Sequence, residues 1–297
     1  MKAALMAVLF YVGGFMSDEN QALAPVIACV QMVSGTSVLD NLARAAQGIL
    51  QAAQKGAQIV VLPEYFCLMG AHDSDKLAIA EPFNPQPEPQ HAPIQAFLRE
   101  QAMAHGVYLI GGTIALRSAD AAKVLNTCLV YAPSGALEAR YDKIHLFGFQ
   151  NGAESYAEAG TIEAGGVSQN PIWQSPWGNI GLAVCYDLRF PEFFRKHNVL
   201  AWVLVAAFTH TTGQAHWAVL LRARAIENQC YVVACGQGGL HENGRHTFGH
   251  SMVVDAWGVV QTELSEGAGV VIAPLAVGRN ERVRTSLPAL RHRVIFS

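Results

Sequence analysis

Twice along the chain a short, wholly apolar run is followed by a segment of helical periodicity and then by a second apolar run. In the first instance Val26 to Met32 reads as a buried strand. Leu42, Ala46, Ile49 and Ala53 then recur at helical spacing, and Gly56 stands where that helix would stop. Ile59-Val60-Val61-Leu62 is the next strand, and it ends at Pro63-Glu64. This β-α-β unit sets Glu64 at the C-terminal end of a strand, the edge at which open α/β sheets bind ligands. The second half repeats the pattern with strands predicted at Asn179–Cys185, Trp202–Ala207 and Tyr231–Cys235, and helices at 190–198 and 214–228.

Between and after these units come hairpin signals. A helix is predicted over 91–105, followed by strands at Val107–Leu116 and Val124–Tyr131, a Pro133-Ser134-Gly135 turn and a return strand at Ala136–Tyr141. Hairpins within an α/β pattern imply a mixed sheet. Residues 144–169 are Gly-rich without periodicity and read as a long functional loop. Ser175-Pro176-Trp177-Gly178 reads as a turn, and three more strands are predicted near 251–254, 258–263 and 268–273. The tail from 279 carries Arg279, Arg282, Arg284, Arg291 and Arg293 and reads as a solvated or partner-contacting arm. The expected architecture is one α/β domain over residues 25–297, with helices outside and two strand layers inside.

Composition narrows the function. Hydrophobic residues make up 51% and charged residues 14%, a balance that fills a core. A net charge of −3 gives no electrostatic footprint for nucleic acid. The six cysteines are scattered without a CxxC pair and read as buried free thiols in a reducing compartment. At the N-terminus Lys2 precedes an apolar stretch, Ala3 to Met16, and Ala22-Leu23-Ala24 resembles a signal-peptidase site. Residues 1–24 are read as an extension, signal-like or from a non-native start. The stretch is short for a bilayer span, and Gly13 and Gly14 interrupt it. The expectation is a cytoplasmic protein with no membrane partner; a periplasmic or tethered one is the alternative.

Three segments carry chemistry. In Leu182-Ala183-Val184-Cys185-Tyr186-Asp187-Leu188-Arg189-Phe190-Pro191-Glu192 a strand ends at a cysteine and a helix begins shortly after. Unpaired N–H groups in such a turn favour a reactive thiolate; the competing interpretation is a buried structural cysteine. Glu64, after its strand and beside Pro63, Tyr65 and Phe66, is placed for partial desolvation and general-base work, or else is a capping glutamate. Lys143, in Arg140-Tyr141-Asp142-Lys143-Ile144-His145, could stabilise an oxyanion, or could be a solvated lysine beside Asp142.

Together, in order and at these separations, the segments resemble the Glu, Lys and Cys motifs of the nitrilase superfamily of carbon–nitrogen hydrolases, from about Pro25 to Val294. The resemblance implies a four-layer α-β-β-α sandwich with mixed sheets that pairs through its helices into a homodimer or higher homo-oligomer. It implies Glu64 as general base, Lys143 as oxyanion stabiliser and Cys185 as nucleophile. Ser155-Tyr156-Ala157-Glu158-Ala159-Gly160-Thr161 is similar to the loop in which many members hold a second glutamate. Glu158 is therefore the fourth catalytic candidate, ahead of Glu154 and Glu163.

Cys-Tyr-Asp looks like the amidase branches. The segments Ala207–Trp217, Leu221–Val232 and Gly249–Asp255 resemble the branches that hold deaminated glutathione amidase and omega-amidase, more the former. Tyr65, Cys67 and Ala206-Ala207 depart from that pattern. The implied activity is hydrolysis of a small carboxylate-bearing amide through a thioester, with release of ammonia. The alternatives are an omega-amidase acting on α-ketoglutaramate and a non-catalytic binding protein on the same fold. Candidate substrate contacts are Tyr186, Arg189, Phe208, Thr209 and Thr212, with Arg189 suited to a carboxylate or else to pairing with Glu192 or Asp187. His241, His246 and His250 match no familiar zinc spacing. Gly236-Gln237-Gly238-Gly239 is not a dinucleotide fingerprint. No metal and no cofactor are expected.

Overall fold

The computed structural model describes residues 24–152 and 154–295. The extension read at 1–24 lies, but for Ala24, outside the described residues. In chain order the first half holds β1 (Val26–Gln31), α1 (Val38–Gln54), β2 (Ile59–Val61), α2 (Asp75–Ala78), α3 (Pro93–His105), β3 (Tyr108–Ile110), β4 (Ile114–Arg117), β5 (Val124–Tyr131), β6 (Leu137–Asp142), β7 (Gly148–Asn151), β8 (Glu154–Ala157) and β9 (Ile162–Glu163). The second half holds β10 (Ile172–Ser175), β11 (Gly178–Val184), α4 (Pro191–Arg195), β12 (Ala201–Ala206), α5 (His210–Asn228), β13 (Tyr231–Gly236), β14 (Gly238–Leu240), β15 (His246–Phe248), β16 (Ser251–Val254), β17 (Val260–Leu264), β18 (Gly269–Pro274) and α6 (Val277–Ser286).

Two mixed sheets result. One runs β18-β1-β2-β3-β5-β4, with β6 and β9 also on β5; the other runs β10-β11-β12-β13-β16-β17. Each has a parallel centre, β1-β2-β3 and β11-β12-β13, because helical crossovers join those strands. Alternation along β1 decides the layers. Ala28 and Val30 pack with Ala45, Ile49 and Ala52 of α1 and with Leu98 and Ala102 of α3. Ile27 and Cys29 face the other way, into a cluster with the second sheet, which α5 joins through Trp217, Leu221 and Ala225. This is the α-β-β-α sandwich that the resemblance implied. The six cysteines are free and buried, as composition suggested. No helix among the described residues is long and apolar enough to cross a membrane.

Several local expectations are corrected. The predicted strand Val107–Leu116 is two strands broken at Gly111-Gly112. Gly112 has φ +57°, and a Cβ there would lie 2.1 Å from the Pro63 carbonyl oxygen, so the chain turns where it meets the loop carrying Glu64. The predicted loop 144–169 contains the β7–β8 hairpin, a 3₁₀ turn at Glu158–Gly160 and β9. β14 and β15 form a hairpin in a Gly-rich stretch that has no apolar alternation to reveal it. β18 crosses back to pair antiparallel with β1, a long-range pairing that local pattern cannot disclose. Nor is the start of the Arg-rich tail a free arm. Arg279 pairs with Asp255 at 2.9 Å, and Arg284 donates to the Gln229 and Val199 carbonyls at 3.0 Å each.

Candidate active site

β11 ends at Val184, and Cys185 opens a 3₁₀ turn with φ +48°. That left-handed conformation costs a non-glycine residue about 1–3 kcal/mol and persists only where neighbours over-determine it. Asp187 does so from a fully buried position. Its Oδ2 accepts the Val184 N–H and the Tyr141 hydroxyl, each at 2.8 Å, and its Oδ1 lies 2.7 Å from His145 Nδ1. The turn therefore cannot relax, and the thiol is held at the C-terminal end of the second sheet.

Glu64 follows β2 in the first sheet and is 1% exposed. Its Oε1 accepts from Asn126 Nδ2 and Lys143 Nζ, both at 2.9 Å, and its Oε2 accepts the Ala207 N–H at 2.8 Å. Lys143, fully buried at the end of β6, also donates to Glu158 Oε1 at 3.0 Å and Oε2 at 2.8 Å. Glu158 is fixed in turn by the Tyr65 hydroxyl at 2.9 Å and the Phe147 N–H at 2.8 Å. One ammonium thus lies between two carboxylates, with all three locked by hydrogen bonds.

The electrostatics follow. Burial alone would discharge Lys143, but the charges of Glu158, Glu64 and a Cys185 thiolate raise its pKa above that of an ordinary lysine. Burial opposes ionisation of Glu158 too, yet Lys143 and the hydrogen bonds hold its carboxyl below the usual range. Cys185 is pushed well up, first by burial and then by Glu64; Lys143 and the Ala207 N–H pull it back only in part. Burial and the Glu64 charge thus work against the thiolate that the strand-to-helix turn favours. Two buried carboxylates against one ammonium leave a net negative neighbourhood, and a short 3₁₀ turn does not offset it.

The structure thus brings Glu64, Lys143, Glu158 and Cys185 into one cluster from four separate segments. Around it, the Arg189 guanidinium lies over Phe208 at 5.3 Å and Tyr186 at 5.8 Å, within 3.3 Å of His216 Nδ1. Among the described residues it has no carboxylate partner, neither Asp187 nor Glu192 pairing with it. Thr209 is the N-cap of α5, and its hydroxyl meets the Thr212 hydroxyl at 2.8 Å, so both side chains are used in the helix start. His241 is buried between the Ser34 carbonyl and the Thr247 hydroxyl, and His250 turns to Glu263. His246 Nε2 and His210 Nε2 both approach Glu266 Oε1, at 3.1 and 3.3 Å, with the two imidazoles stacked within 15° of parallel.

Sequence reasoning missed Asn126, Tyr65, Asp187 and the Ala207 N–H. A signal existed for the first, a lone amide within the apolar β5, and for Tyr65, which adjoins Glu64. Asp187 and Ala207 act through distant partners that sequence order does not pair.

This fold and site define a carbon–nitrogen hydrolase. Residues 26–285 match the carbon–nitrogen hydrolase family model, and the chain belongs to that family. It is 39% identical over 273 residues to the deaminated glutathione amidase of Synechocystis sp., covering 90% of this chain and 97% of that protein. It is 35% identical to the mouse protein of the same name, covering 94% of this chain and 86% of that one. Among solved structures, a Saccharomyces cerevisiae member of branch 10 of the nitrilase superfamily aligns with TM-score 0.82 and 28% identity, over 94% of this chain and all of that one. The nitrilase and fragile histidine triad fusion protein of Caenorhabditis elegans aligns with TM-score 0.81 and 35% identity, over 91% of this chain and 65% of that protein. The family, fold and reaction class read from the sequence are borne out.

Proposed function

We propose that the chain is an amidase for a small carboxylate-bearing amide of the deaminated-glutathione kind, working through a Cys185 thioester. The observation that carries this is the Lys143 ammonium held at 2.8–3.0 Å between Glu64 and Glu158, within electrostatic reach of the Cys185 thiol. The thiol is protonated at rest, so Glu64 takes its proton as sulfur attacks the amide carbonyl. Lys143 and the Tyr186 N–H receive the oxyanion. Glu64 then gives the proton to the departing nitrogen, leaving as ammonia from a primary amide or as an amine from a peptide-like one. Water activated by Glu64 cleaves the thioester. Glu158 and Tyr65 position Lys143. Arg189, which has no acidic partner among the described residues, is suited to a carboxylate on the acyl side.

The relatives at 35–39% identity are deaminated glutathione amidases, which supports the substrate class. The continuous fold supports a single hydrolase domain from residue 25 onward, and six free thiols support a reducing, cytoplasmic setting. A homodimer through the outer face of α5 completes the proposal. A panel of amides, with deaminated glutathione and α-ketoglutaramate compared directly, tests the activity. Full turnover by a Cys185→Ala protein would sink the mechanism.

A further inference from the structure

Three metal-ligating side chains from distant segments meet at the start of α5. His210 is the first residue of that helix, His246 opens β15, and Glu266 lies in the turn between β17 and β18. His210 Nε2 and His246 Nε2 stand 3.3 and 3.1 Å from the same oxygen, Glu266 Oε1. All three ligand atoms lie within 4.8 Å of one another, and the two imidazoles stack with their centroids 4.1 Å apart. In a tetrahedral zinc site, bonds of about 2.0–2.1 Å put neighbouring ligand atoms about 3.4 Å apart. The two nitrogen–oxygen edges are already close to that length.

Each ligand stands on a fixed backbone. Thr209 caps the helix that His210 begins. His246 pairs with Leu240 across the β14–β15 hairpin. Its next two residues tie that hairpin to the chain entering α5: Thr247 bridges to Thr209, and the Phe248 N–H donates to the Phe208 carbonyl at 2.9 Å. Glu266 is bracketed by the buried Gln31 amide, which donates to the carbonyls of Ser265 and Gly267 on either side of it. The Gly267 N–H donates to the Gly238 carbonyl at 2.9 Å. Only side-chain torsions are left to settle, which is the condition for a preorganised site.

The side chains themselves are 29%, 39% and 44% exposed, in the order His210, His246, Glu266. That gives an ion a way in and room for water as a further ligand. It also lets the stacked imidazoles turn about χ2 to aim their lone pairs at one point. Among the described residues no lysine or arginine pairs with Glu266, so its charge is met by two imidazoles alone. Imidazole and carboxylate together suit zinc, which has no geometric preference of its own to violate.

We propose that His210, His246 and Glu266 bind one divalent ion of the zinc class, which pins the β14–β15 hairpin and the β17–β18 turn to the start of α5. Sequence spacing could not show this, because the partners of His246 are remote in the chain and are neither His241 nor His250. The site shares no residue with the Glu64, Lys143, Glu158 and Cys185 cluster, so it stands or falls independently of amide hydrolysis.

The test uses the whole chain carrying Cys185→Ala, which removes the active-site thiol as a competing ligand, after treatment with EDTA. Titration calorimetry with zinc chloride should find one ion per chain. Cobalt(II) in its place should give d–d absorption without sulfur-to-cobalt charge transfer. His246→Ala and Glu266→Gln should each weaken zinc binding by at least about 100-fold, the upper end of what losing an outer-shell partner costs. His250→Ala removes an imidazole paired with Glu263 alone and should leave the affinity unchanged. Zinc should also raise the melting temperature, as any ion that binds only the folded chain does, and His246→Ala should abolish the rise. The substituted side chains are partly exposed, so circular dichroism should show each variant folded. No zinc binding by the Cys185→Ala protein, affinity unchanged in both His246→Ala and Glu266→Gln, or a cobalt spectrum dominated by thiolate charge transfer would each overturn the site.

Discussion

Cys185 holds a proton that it must lose in order to react, and the groups around it determine how. Glu64 raises the thiol pKa by its charge and, in the proposed mechanism, is also the base that removes the proton. Replacing Glu64 by Gln separates the two effects. The negative charge goes, the thiol pKa falls, and alkylation of Cys185 by iodoacetamide near pH 8 speeds up. Amide hydrolysis falls meanwhile by about 100- to 10,000-fold, the usual worth of a general base. In the wild type the alkylation rate should still be climbing at pH 9; a plateau below pH 7 would mean a resting thiolate and contradict this picture. The other thiols provide an internal control, since burial pushes Cys67, Cys128 and Cys230 up to about 12. Lys143→Met leaves two buried carboxylates facing each other. It should cost about 3–5 kcal/mol in urea unfolding, as removal of one member of a buried pair does, beyond its loss of activity.

The elements carrying the site differ in how far the sequence exposes them. β2 and β11 are legible because a strand buried on both faces is a continuous apolar run, and each run stops at its functional residue. The β7–β8 hairpin is not, because its outward residues are polar and its glycines break the alternation; Glu158 could be placed there only by resemblance. The break at Gly112 was hidden for the opposite reason: apolar residues on both sides make the two strands read as one. Gly112→Ala tests the role of that break. A Cβ against the Pro63 carbonyl, at φ +57°, should cost about 1–3 kcal/mol in conformation alone. It should also displace Glu64, so kcat should fall by more than the lost stability accounts for. The 3₁₀ turn at Glu158 should show in acid. Its folded pKa lies below the usual 4.5, so its contribution to stability is complete above that value and is lost as pH falls through the folded pKa. Melting temperature should therefore drop below about pH 4.5, and Glu158→Gln should flatten that part of the profile.

At the scale of the whole molecule, the question is what covers α5. Its inner face buries Trp217, Leu221 and Ala225, whereas Val219 is 68% and Ile226 48% exposed on the outer face. The turn between β16 and β17 extends this surface. Trp257 and Val259 are 54% and 47% exposed, and Gly258 sits so close to Ile226 that a Cβ would lie 2.6 Å from its Cδ1. Arg222 ties that turn to the helix by donating to the Gly258 carbonyl at 2.9 Å. Contiguous exposed apolar residues on a rigid, hydrogen-bonded frame mark an interaction surface. A second copy placing the same face against it would bury both at once, as two-fold symmetry requires. Sedimentation should find a dimer, and Ile226→Glu with Trp257→Glu should give a monomer. The consequence reaches the site, because α5 begins at the Thr209 cap and the chain enters it through Ala207, whose N–H holds Glu64. The monomeric variant should therefore melt earlier and lose catalytic rate with KM less affected. A wild-type protein that sediments as a monomer at micromolar concentration would leave α5 without its partner and remove this link between assembly and catalysis.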